Sequence, residues 1–128
     1  MVLKPVYALV RDLFFATKIV KTAEAAGLKA RTFDSAERLV AAATENEPSF
    51  VMMDCETLER EAFRALEAFR RNPTLSKIPR VGFLTHGTGD LKRQMQDAGC
   101  EKVCTKSEFT RELETLMVRY GNGIPSRI

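Results

Sequence analysis

SFVMMDCE, residues 49–56, is the stretch on which the reading of this chain turns. Four apolar residues, Phe50 to Met53, run directly into Asp54. A short apolar run that stops at a charge reads as a strand buried on both faces, with its last residue emerging at the edge of a sheet. Asp54 is then a carboxylate held by a rigid strand at the mouth of a crevice.

Working outward from that strand, the pattern alternates. PVYALVR (5–11) is a compact apolar run rich in strand formers. LFFATKIVKTAEAAG (13–27) places Ala16, Ile19, Val20, Ala23 and Ala26 at helical spacing, with Gly27 as a stop. LKARTF (28–33) alternates as a strand does. Asp34 or Ser35 caps a helix over 36–47, which Pro48 ends. Beyond Asp54, Leu58, Ala62, Phe63, Leu66 and Phe69 form an apolar helical stripe over 58–72. IPRVGFLT (78–85) is a fourth strand, with Pro79 tolerable only at its beginning. The loop HGTGD leads to a short helix over 91–99. EKVCTK (101–106) is a fifth strand, and Ser107 is expected to cap a last helix carrying Phe109, Leu113, Leu116, Met117 and Tyr120. The domain is expected over 1–120, with a frayed tail at 121–128. Five strands alternating with five helices predict an α/β fold, a parallel sheet covered on both faces with right-handed crossovers.

Composition narrows the functional classes. A chain of 128 residues, 45% hydrophobic and 29% charged, is one ordinary globular domain. A net charge of +3, dispersed along the chain, gives no footprint for nucleic acid. The densest basic pair, Arg70-Arg71, ends a helix. No 18-residue apolar run predicts a membrane span, and Lys4 and Arg11 interrupt any signal-peptide pattern. Three cysteines, an odd count, suit reduced thiols and a cytoplasmic protein. Cys100 and Cys104 lack the partners of a zinc site, and Cys104 reads as a small core residue.

In such sheets the functional crevice lies outside the carboxyl ends of the strands. Arg11-Asp12, Asp54, Thr85 with His86, and Lys106 all stand at those ends. This set, with VMMD closing strand three, LT closing strand four and AGCEKVCTK leading to Lys106, resembles the receiver domain of bacterial two-component response regulators over about residues 4–120. The resemblance implies the flavodoxin-like strand order 2-1-3-4-5. It also implies Asp54 as phosphoryl acceptor from a histidine kinase or phosphotransfer protein, Thr85 as switch hydroxyl and Lys106 as the pairing cation. Asp12, Asp54 and the backbone carbonyl of Glu56 would face Mg²⁺, and a downstream effector or a homodimer would receive the signal. The chemistry is coherent. A carboxylate is a nucleophile already ionised at neutral pH, and phosphoryl transfer needs positioning and charge neutralisation.

The departures point elsewhere. Arg11 stands where the family has an acid, Leu58 where it has proline, Val103 where an aromatic switch residue is frequent, His86 where a small residue follows the hydroxyl, and Ser107 where proline follows the lysine. Arg11 would offset the carboxylates and make Mg²⁺ binding weak or absent. Two readings follow, a phosphorylated receiver and a pseudo-receiver that works by protein contact alone, neither an enzyme beyond self-phosphorylation and dephosphorylation. A flavodoxin-like small-molecule site is a third, but RDLFFAT offers bulk and an acid where phosphate-binding loops need glycine. Leu13, Phe14 and Phe15 cannot all face the sheet. Leu13 lies nearer the buried stripe, so Phe14 and Phe15 are the candidates for partial exposure, and Phe14 or Phe15 is expected to contribute to a partner surface or to self-association beside Asp54.

Overall fold

Along the central strands every residue is buried, because helices cover both sheet faces. The computed structural model describes residues 4–85 and 89–121. Within them the chain runs β1 (Val6–Leu9), α1 (Leu13–Ala25), β2 (Ala30–Phe33), α2 (Ala36–Glu45), β3 (Val51–Asp54) and α3 (Glu59–Arg71). A 3₁₀ turn (Leu75–Lys77), β4 (Arg80–Leu84), α4 (Gly89–Asp97), β5 (Lys102–Thr105) and α5 (Lys106–Tyr120) complete it. The five strands form one parallel sheet in the order β2-β1-β3-β4-β5, so the expected topology holds.

Strand alternation divides the core in two. Tyr7, Leu9, Val51 and Met53 face α2 and α3, packing on Leu39, Leu66 and Phe69. Val6, Ala8, Phe50, Met52, Val81 and Phe83 face α1 and α5, packing on Ile19, Phe109, Leu113 and Met117. Gly82, inside β4, leaves space that a side chain would destroy, since a Cβ there would lie 2.5 Å from the Cys55 sulfur. Gly27 takes a φ of +80°, the left-handed conformation that ends α1.

At the amino end of the sheet Arg80 is buried, with no ion pair among the described residues. Its Nε donates to the Gly99 carbonyl at 3.0 Å, and its Nη1 to those of Leu75, Ser76 and Ile78 at 3.2–3.4 Å. One guanidinium thus closes the turn before β4 and the loop after α4. Burial lowers its pKa from the ordinary arginine value.

Several expectations are corrected. Thr105, not Ser107, caps α5, in a capping box with Glu108. Both positions carry a hydroxyl, but only Thr105 has an acidic residue three positions on. Gly121 belongs to the fold and not to the tail: it is the buried C-cap of α5, and its carbonyl accepts from the Ser49 hydroxyl at 3.1 Å. The expected tail beyond it, 122–128, lies outside the described residues, as does His86. Phe15 is buried at 6% exposure, whereas Leu13 is 82% and Phe14 90% exposed. Helix α1 is rotated so that Phe15 continues the stripe of Ile19 and Ala23, four and eight positions on.

Candidate functional site

Asp54 ends β3 and stands at register with Phe83 of β4. It is 5% exposed. Its Oδ1 accepts from the backbone N–H groups of Glu56 at 3.1 Å and Thr57 at 2.9 Å. This turn carries the chain toward α3, whose N-cap residue, Leu58, has no side chain able to cap. Asp54 thus does for the β3–α3 loop what Ser35 does for α2, where its hydroxyl accepts from Arg38 N–H. The other carboxylate oxygen, Oδ2, has no protein hydrogen bond among the described residues.

Thr85 follows β4 and is exposed. Its backbone N–H donates to the side-chain carboxylate of Glu56, which spans from the β3–α3 loop to the end of β4. The sequence reading used only the carbonyl of Glu56. A glutamate two residues past a strand-terminal aspartate, on a loop beside the neighbouring strand, is the signal that could have found this contact.

Asp12 caps α1. Its Oδ1 accepts from Phe14 N–H at 2.9 Å and Phe15 N–H at 3.3 Å, and its Oδ2 lies 3.7 Å from Lys106 Nζ. The lysine opens α5, where the helix dipole opposes a cation. Asp12 offsets that, and so does the Phe15 ring, 4.6 Å below the ammonium. The ring is itself fixed by Phe83 and Phe109, with centroids 5.0 and 5.8 Å away. A half-exposed ion pair of this kind contributes at most about 1 kcal/mol, and the cation–π contact about as much.

The predicted residues therefore reach one sheet edge but form two groups: Asp12 with Lys106, and Asp54 with Glu56 and Thr85. Among the described residues no ion pair joins Lys106 or Arg11 to Asp54. Arg11 does not provide the counter-charge expected of it. It is exposed and lines a groove bordered by β2 and α2. Among the described residues no three acidic, histidine or cysteine side chains come close enough together to hold a metal ion, and both oxygens of Asp12 are already engaged.

All three cysteines are free and buried. A hydrogen bond with Cys100 and burial push the Cys55 thiol up, and burial pushes Cys104 up to about 11. Among the described residues no helix is long and apolar enough to cross a membrane.

No protein-family model and no curated protein sequence matches the chain. Solved structures do. A response regulator from Hahella chejuensis superposes with a TM-score of 0.81 at 14% identity, over 91% of this chain and 94% of that one. The phosphorylated cyanobacterial phytochrome response regulator RcpA gives 0.79 at 15%, over 93% and 94%. An orphan response regulator of H. pylori, HP1043, gives 0.72 at 15%, over 91% and 92%. At such identities the likeness establishes the fold, and the fold is that of response-regulator receiver domains.

Proposed function

Starting from a receiver fold, we propose that this chain is a pseudo-receiver, a docking module whose signalling does not require phosphoryl transfer to Asp54. One observation carries the reading: the Glu56 carboxylate already holds the Thr85 amide. A phosphoryl group on Asp54 would bring more negative charge to a site where Glu56 stands, while Lys106 is paired to Asp12 and Arg11 lines the groove beside β2. Like charges gathered together raise the barrier to phosphoryl transfer unless a cation neutralises them. On this reading the chain has no catalytic turnover and no need of Mg²⁺. Its output is contact with an effector protein, beginning at Leu13 and Phe14, which α1 presents to solvent beside the Asp12–Lys106 pair.

A second reading has an observation of its own. Among the described residues Asp54 Oδ2 has no protein hydrogen bond, and such an oxygen is the atom a phosphorylated receiver would use. Incubation with acetyl phosphate and Mg²⁺, followed by intact-mass measurement of the parent and of Asp54→Asn, separates the two. We expect no phosphoryl adduct on either. A stoichiometric adduct on the parent, missing from Asp54→Asn, would restore the phosphorylated receiver fed by a histidine kinase or phosphotransfer protein.

A further inference from the structure

Between the edge strand β2 and helix α2 lies a groove of about 900 Å³. Arginines from three elements line it: Arg11 after β1, Arg31 in β2 and Arg38 in the first turn of α2. Asp34 and Glu45 also line it, yet none of the three guanidiniums has a carboxylate within ion-pair distance among the described residues. Arg31 is held over the aromatic floor, 5.0 Å from the Phe33 ring centroid and 5.9 Å from that of Tyr7. Exposed Leu13 stands at the end of the groove beside Arg11.

The backbone of β2 adds a second demand. Val6 N–H donates to the Lys29 carbonyl, and Val10 N–H to that of Phe33. By strand alternation, residues 29, 31 and 33 face β1, so the peptide groups of Ala30 and Thr32 face outward. Thr32 lines the groove. Charged side chains also guard strand edges against accidental pairing. A guard does not call for three unpaired guanidiniums gathered round one groove with an exposed leucine at its end.

We propose that this groove binds an acidic segment of a partner protein in extended conformation. The segment pairs its backbone with Ala30 and Thr32, sets carboxylates against Arg11, Arg31 and Arg38, and places an apolar side chain on Leu13. Guanidinium forks suit carboxylates, and strand addition supplies backbone hydrogen bonds while alternate side chains supply selectivity. The four residues of β2 span roughly 13 Å, enough to pair with a short segment. The arginines come from three elements bordering the strand, an arrangement suited to a linear partner. The proposal rests on the reading of this chain as a docking module. It can fail separately, because acetyl phosphate reports on Asp54 and not on this groove.

The test uses a fluorescein-labelled peptide alternating glutamate and valine, with a lysine–valine peptide of equal length as control. Anisotropy should show saturable binding of the acidic peptide alone. Arg11→Glu with Arg38→Glu should weaken it at least about tenfold, the loss expected of two charge-assisted hydrogen bonds, with thermal unfolding unchanged. In the parent protein, amide exchange at Ala30 and Thr32 should slow when the acidic peptide is added. Equal binding of both peptides, no binding of either, or unchanged exchange at these two amides would overturn the proposal. Displacement of the peptide by inorganic phosphate would overturn it in favour of a small-anion site. Self-association in sedimentation, abolished by the same arginine pair, would overturn it in favour of a second copy of this chain.

Discussion

The two halves of the sheet's carboxyl edge treat their charges in opposite ways. On the β3–β4 side, Asp54 accepts from two backbone N–H groups of its own loop, and Glu56 accepts from the Thr85 N–H at the end of β4. On the β1–β2 side, Arg11, Arg31 and Arg38 surround a groove and have no carboxylate partner among the described residues. A polar group satisfied inside the fold stabilises it and is spent there; one left unsatisfied at the surface costs the fold little and remains available to a ligand. The half that resembles a phosphorylation site is thus internally bonded, and the half without a counterpart in that chemistry is open.

The contrast is sharpest within one residue type. Arg80 is buried and donates to four backbone carbonyls, whereas Arg38 lies on the open groove. Arg80→Ala should destabilise by about 3 kcal/mol or more, because buried carbonyls lose their donor and the stem leaves a cavity. Arg38→Ala should stay within about 0.5 kcal/mol. Chemical denaturation of the two variants checks this, and equal losses would erase the distinction between closed and open polar groups.

Asp54 comes next. Asp54→Ala removes the acceptor for Glu56 N–H and Thr57 N–H, and should cost about 2 kcal/mol. Asp54→Asn keeps an oxygen in place and should cost about 1 kcal/mol. A receiver site crowded with carboxylates would gain stability when one is neutralised. A melting temperature that rises in Asp54→Asn would therefore show that repulsion, and not the turn, dominates at this position.

What the sequence revealed and what it hid follows the range of the forces involved. The apolar runs of β1, β3 and β4 and the stripe of α3 were legible, because burial on two faces leaves few polar residues in the run. The convergence of Asp12, Asp54, Thr85 and Lys106 was legible from topology, since parallel strands end on one edge. Orientation was not. Three consecutive apolar residues, Leu13 to Phe15, leave the phase of α1 open within a turn, and the partners that fix Phe15 are Phe83 and Phe109, distant in sequence. Arg11 could be placed at the edge but not aimed, because a long side chain is directed by its surroundings: here the groove beside β2. Glu56 was read for its backbone, while its carboxylate finds Thr85 through a register contact between β3 and β4.

The smallest expected effect concerns how Lys106 is held. Glu108 reaches back to the Thr105 backbone N–H at 2.9 Å, while the Thr105 hydroxyl accepts from Glu108 N–H at 3.1 Å. The hydrogen bond from the Thr105 backbone lowers the Glu108 pKa from its ordinary 4.5. A depressed carboxylate contributes stability that is present above the unfolded value and lost as pH falls through the folded one. The acid limb of the stability curve should therefore include a small step below about pH 4.5 that Glu108→Gln removes. Glutamine can still accept from Thr105 N–H, so stability at neutral pH should change little. Because this box begins α5 at Lys106, Glu108→Ala should also loosen the Lys106–Asp12 pair, which a double-mutant cycle of Asp12→Ala and Lys106→Ala, run with and without Glu108→Ala, would register. An unchanged coupling between Asp12 and Lys106, with the acid step gone, would mean that the Phe15 ring and the strand end hold the lysine without help from the cap.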